Sequence, residues 1–171
     1  MSAPSDRNHD ERGAAPLLRR ALLVLSGIAL VGTTVELVIG RHWDSLEQVI
    51  PFGAIALAGM ALWLIAARPT RRRLRLARGL CLIVLAVSEL GVWNHIEGNQ
   101  ESGALDSRFA DRWESMSAAD RWWRAASGGV GPAPPLAPGV LAETALMLLA
   151  ATLRHPATEL AGARSEYRPT R

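Results

Sequence analysis

The chain has 171 residues, of which 49% are hydrophobic, with 19 basic and 16 acidic side chains and a net charge of +3. That length suits one compact unit, and the single cysteine, Cys81, excludes an internal disulfide and dithiol exchange within one chain. Every basic residue is arginine; this reads as the base-composition bias of a GC-rich genome, and no nucleic-acid partner is inferred from it.

The apolar residues fall in four blocks, 22–39, 49–67, 76–93 and 136–153. Blocks of about 18 residues can cross hydrocarbon as helices. A soluble bundle would show a polar face on each helix, and 54–67 shows none. The pattern therefore predicts an all-α, four-helix transmembrane bundle in a cell membrane, occupying 20–156. Polar tails over 1–19 and 157–171 are expected to be disordered and cytoplasmic.

In chain order, Arg19 and Arg20 precede the first block, which is too long for a signal peptide and reads as an uncleaved span. Gly27 and Gly32 would let a second helix approach closely, as would Ala54 and Ala58 on the second span. Pro51 is expected to open that second span, because the first helical turn tolerates proline. Six arginines lie between Arg68 and Arg78. A short basic loop is held on the cytoplasmic side, and Arg71, Arg72, Arg73 and Arg75 there are candidates for lipid headgroup contact. Both termini are then cytoplasmic, with loops 40–48 and 94–135 outside. Fourteen arginines lie inside and five outside on this topology.

The loop 94–135 carries an extracytoplasmic amphipathic helical insertion between spans three and four. Phe109, Trp113, Met116 and Trp123 recur at helical spacing, with Trp122 beside them. Ser117-Ala-Ala-Asp120 has the form of a capping box, and Gly128-Gly129 would stop the helix that follows. Phe109, Trp113, Trp122 and Trp123 could face the headgroup zone, cap the bundle, or contact a partner protein. Pro138 should start the fourth span.

The two hairpins look related. Glu36-Leu37 matches Glu89-Leu90, His42 matches His95, and Pro51-Phe-Gly53 resembles Pro138-Gly139. This would be a parallel repeat about an axis along the membrane normal. Glu36, Glu89 and Glu143, with His42 and His95, all fall at outer-leaflet depth, where ionisable groups usually face a bundle interior. These five could hold a divalent or transition metal or carry protons or cations; the two histidines could instead ligate haem. Six residues between Glu and His place them about 120° apart on a straight helix, so a shared ion would require unwinding at Gly40 or Gly91. Alternatively each Glu is bound by Thr33, Thr34, Ser88, Thr144 or a Trp N–H and only joins helices. Gly98-Asn99 reads as a helix end.

Glu36-Leu37 with its later His, His95-x-x-Gly98-Asn99, Leu136-Ala-Pro-Gly139 and Arg154-His-Pro156 together resemble small uncharacterised four-span bacterial membrane proteins. The resemblance covers roughly 20–156 outside 104–132 and implies no activity, cofactor or partner. The paired cysteines of vitamin K epoxide reductase-like proteins are missing, and no DoxX-like motif is present. The expectation is a non-enzymatic accessory or binding subunit, working with a larger membrane protein or as a homo-oligomer. The alternative is a metal- or haem-binding redox component or a transport component.

Overall fold

The computed structural model describes residues 5–153 together with 155 and 157, with side chains from residue 15 onward. Arg154, Pro156 and the tail beyond 157 lie outside the described residues, as do residues 1–4. Among the described residues the α-helices are α1 Ser5–Ile39, α2 Leu46–Ala66, α3 Arg71–Ser102, α4 Ala118–Ala126 and α5 Gly139–Ala151. Two short 3-10 turns, Gly103–Leu105 and Ala110–Ser115, join α3 to α4, and no strand occurs among the described residues. Three helical stretches, Ala15–Ile39, Leu46–Ala66 and Arg71–Leu105, are long and apolar enough to cross a membrane; α5 is apolar but shorter.

Local chemistry sets these boundaries. The Ser45 Oγ accepts from the Gln48 N–H at 3.4 Å, and the Gln48 side chain accepts from the Asp44 N–H at 2.9 Å, so α2 starts in a reciprocal cap. The cap places Pro51 inside α2 rather than at its start. Thr70 caps α3 in the same way, accepting from Arg73 N–H at 3.3 Å. The end of α1 is a Schellman turn: His42 N–H reaches Leu37 C=O at 2.9 Å and Arg41 N–H reaches Val38 C=O at 3.1 Å. Arg41 takes the left-handed position at φ 51°, where glycine is the usual residue.

The helices α1, α2, α3 and α5 pack in a ring in that order, with α2 tight against α3, α1 against α5, and α3 against α5. The core is built on small residues of α2: Ala54, Ala58 and Ala61 face Leu74, Ala77, Cys81 and Val84 of α3 and Leu141, Ala145 and Leu148 of α5. A Cβ at Gly27 would meet Leu62 at ordinary van der Waals distance, while the position of Gly32 is open. The looser α1–α2 pair leaves an apolar groove between Leu30, Val31, Thr34 and Val35 on one side and Ile55 and Gly59 on the other.

A second, separate core closes one end of the ring. Phe109, Trp113, Ala125 and Val130 are buried together, with Ile96 and Met116 against them. This cap end contrasts with the arginine end, where α3 begins. Helix α3 is the post of the cap: it runs unbroken to Ser102, about 48 Å at 1.5 Å per residue. The span expected to end at residue 93, with a turn at Gly98-Asn99, is thus a longer helix whose last turns carry the cap.

Candidate functional site at the cap end of α3

Gly91, His95 and Asn99 stand four residues apart and so line one face of α3. The irregular segment 130–138 descends along that face to reach α5. Asn99 is fully buried. Its Nδ2 donates to the Ala133 and Ala125 carbonyls at 2.7 and 3.3 Å, and its Oδ1 accepts from the Ala133 N–H at 3.0 Å. One turn back, the His95 Nδ1 lies 2.9 Å from the Pro134 carbonyl. A carbonyl only accepts, so Nδ1 carries the proton of that bond. A further turn back, Pro138 lies so close to Gly91 that a Cβ there would sit 3.0 Å from the proline. Gly91 leaves room for the proline; it does not unwind the helix. Irregular backbone that is buried needs partners for its polar groups, and Asn99 and His95 supply them here.

Two glycines make the cap possible. Gly131 sits at φ +80°, and a side chain there would collide with Asn99. The Trp113 ring packs flat against Gly103 with no room for a Cβ. The expected capping box forms: Ser117 Oγ accepts from Asp120 N–H at 3.1 Å and donates to the Asp120 carboxylate at 2.8 Å. Helix α4 then stops where Gly128 takes φ +71°.

The four aromatic candidates divide. Phe109 and Trp113 are only 7% and 3% exposed, inside the cap, and offer no contact surface. Their apparent helical spacing with Met116 lies on a loop and a 3-10 turn that fold them inward. Trp123 is 72% exposed, and Trp122 stacks on Trp93 with ring centres 5.3 Å apart. Of the four candidates, Trp122 and Trp123 remain available to an interface or headgroup layer, with Trp93 beside them.

The proposed ligands do not gather. Glu36, Glu89 and Glu143 are all exposed, on the outward faces of α1, α3 and α5. Among the described residues none of the three carboxylates makes a hydrogen bond or ion pair. Thr34 and Thr144 donate instead to carbonyls of their own helices, Leu30 at 2.7 Å and Val140 at 2.8 Å, and the buried Ser88 hydroxyl has no partner among the described residues. The reading of these groups as glue for the glutamates is thereby corrected. His42 follows the end of α1 while His95 lies inside α3, and those two helices scarcely touch. No group of three or more His, Cys, Asp or Glu placed to hold a metal exists among the described residues.

At the arginine end, two residues not singled out by the sequence do structural work. Arg78 donates from Nε to the Thr152 Oγ1 and from Nη2 to the Thr152 carbonyl, both at 2.8 Å. Arg19 donates to the Ala151 carbonyl at 2.9 Å. Cations from α1 and α3 thus satisfy the orphan carbonyls at the C-terminus of α5 and oppose its dipole. Burial, with the charges of Arg19 and Arg78, pushes the nearby His155 below the usual imidazole range. Of the basic loop, Arg71, Arg72 and Arg75 are exposed, and the Arg73 guanidinium lies over Trp63 at 5.1 Å. An arginine set one turn inside an apolar run, as Arg78 is, was the available sequence signal.

Comparison with protein-family models, with curated proteins and with solved structures finds no match to this chain.

Proposed function

We propose that the protein is a four-span, non-enzymatic membrane subunit that binds a partner chain through the outward carboxylates of its helices. One observation carries this reading: Glu36, Glu89 and Glu143 are exposed on the outside of the bundle, and their carboxylates have no partner among the described residues. A charged group at the centre of a membrane helix costs about 2.5–3.5 kcal/mol on the insertion scale, less near an end. A neighbouring helix that supplies a cation or a hydroxyl offsets that cost. The partner is a second copy of this chain or a larger membrane protein. The arginine distribution supports cytoplasmic termini and an extracytoplasmic cap, with Arg71, Arg72 and Arg75 at the headgroups and α5 as the fourth span. Its deficit in length is filled by the segment that Asn99 and His95 bind.

The proposed duplication has support in the second helix of each half. Ala54, Ala58, Ala61 and Leu64 are buried at positions matching buried Leu141, Ala145, Leu148 and Ala151, a register that also equates Pro51 with Pro138. The Glu-Leu register of the first helices lacks that support, since it equates buried Leu30 with half-exposed Ile83.

Photo-crosslinkers at Leu90 and Leu146, beside Glu89 and Glu143 on the outward faces, test the proposal in native membranes. A discrete adduct, either a dimer or one reproducible larger protein, is expected, and Glu89→Gln with Glu143→Gln should weaken it at least about tenfold. Monomer alone at both positions, with no adduct, refutes the reading.

A further inference from the structure

We infer that the cap carries an oxyanion-binding site, formed by Arg112 and Arg124 with Arg108 and Arg121 at its edges and recognising a phosphate group. Three guanidinium carbons, those of Arg124, Arg112 and Arg108, lie over the single ring of Phe109 at 4.6, 5.1 and 5.4 Å from its centre. A ring has two faces, so at least two of these cations share one and are close neighbours. The ring quadrupole attracts each of them, but it does not neutralise them against one another.

The acids nearby leave the centre of the cluster uncompensated. Asp106 is committed to Arg108, in an ion pair at 2.6 Å and a second bond from Nε at 3.0 Å. That pairing, through hydrogen bonds from Arg108, lowers the Asp106 carboxyl to about 2. Arg108 also donates to the Gly129 carbonyl at 3.1 Å. Glu114 stands 3.8 Å from Arg121. Among the described residues no carboxylate pairs with Arg112 or Arg124.

An independent observation points the same way. The Nε–H groups of both Arg121 and Arg124 are buried without an acceptor among the described residues. The two residues are one turn apart on α4, so their donors lie along one side of that helix. Buried donors are nearly always satisfied, and these two cations, short of acceptors at Nε, keep their terminal N–H groups for a ligand from outside the chain. A phosphate oxygen fits, since arginine's fork matches its geometry. The cluster is assembled by the cap core itself: Phe109 is held by Trp113, Ala125 and Val130, so the cations are positioned before any ligand arrives. Trp122, stacked on Trp93, sets α4 at the height where the outer headgroups would begin. The phosphate can therefore come from a lipid headgroup or from a soluble phosphate compound.

Purified full-length protein in neutral detergent is titrated with inorganic phosphate at constant ionic strength, with chloride as control, following tryptophan fluorescence. The same protein in nanodiscs of phosphatidylcholine, with and without phosphatidylglycerol, is followed in parallel by thermal unfolding. A saturable phosphate response assigns a soluble oxyanion; a response to phosphatidylglycerol alone assigns the headgroup. Either should weaken at least about tenfold in Arg124→Gln and in Arg112→Gln, and persist in Arg20→Gln, an exposed residue at the opposite, arginine end of the bundle. Phe109→Leu keeps the cap core apolar and should also lower affinity by releasing the cations. Far-ultraviolet circular dichroism confirms the fold of each variant. No response in either format, a response matched by chloride, or one unchanged in Arg112→Gln and Arg124→Gln overturns the inference.

Discussion

Replacing Asn99 by leucine tests how strongly this side chain, beside His95, holds the Pro-rich segment to α3. Leucine is close in volume and leaves α3 intact, so the loss is confined to hydrogen bonds. Two strong ones, at 2.7 and 3.0 Å, go to the carbonyl and N–H of Ala133. The third, at 3.3 Å, goes to Ala125, whose carbonyl keeps acceptor roles in the turn ending α4. An unsatisfied buried group costs about 1–3 kcal/mol. Ala133 is half-buried, so the lower part of that range applies to each of its two groups. The segment should lose about 2–4 kcal/mol of local stability. At 1.4 kcal/mol per decade, hydrogen exchange at the Ala133 amide should accelerate about 30- to 700-fold. Amides in the middle of α2 and α3 should be unaffected. Asn99→Asp should do similar harm, because it turns a donor into a negative oxygen facing two carbonyls. Unchanged exchange at Ala133 in Asn99→Leu, or equal acceleration throughout the bundle, would refute the reasoning.

Three further outcomes are expected. Gly103→Ala should displace the Trp113 ring and cost about 1–3 kcal/mol, seen as a lower unfolding midpoint and a changed near-ultraviolet dichroism signal. Arg78→Met removes both bonds to Thr152 and should destabilise the protein by about 2–3 kcal/mol in a melt in detergent, with Arg78→Lys recovering only part of it. Because the folded His155 is held below its ordinary value of 6.5 by burial and two arginines, the fold favours its neutral form. Its contribution is present above pH 6.5 and is lost as pH falls below that, by at most about 1.4 kcal/mol per pH unit. His155→Asn should flatten that part of the stability profile, measured from pH 8 to pH 5.

The three long helices were legible in the sequence because transfer into hydrocarbon depends on apolar residues added along the chain, and 54–67 has no other reading. Ser117-Ala-Ala-Asp120 and Gly128-Gly129 were legible too, since a cap and a left-handed stop involve only neighbours. What the sequence left open is the rotation of each helix, because hydropathy is nearly uniform around spans such as α2. That rotation decided that Glu36, Glu89 and Glu143 face outward and do not converge. It also decided that Asn99, read as a helix end, is the fully buried anchor of the cap. The length of α3 was concealed for a related reason: the polar residues after Trp93 end an apolar run without ending a helix. They continue it because Asn99 and His95 bind the segment that descends beside them, a contact between groups 34 and 39 residues apart. Residue order set the apolar lengths and local caps; only packing could set which side of each helix met its neighbour.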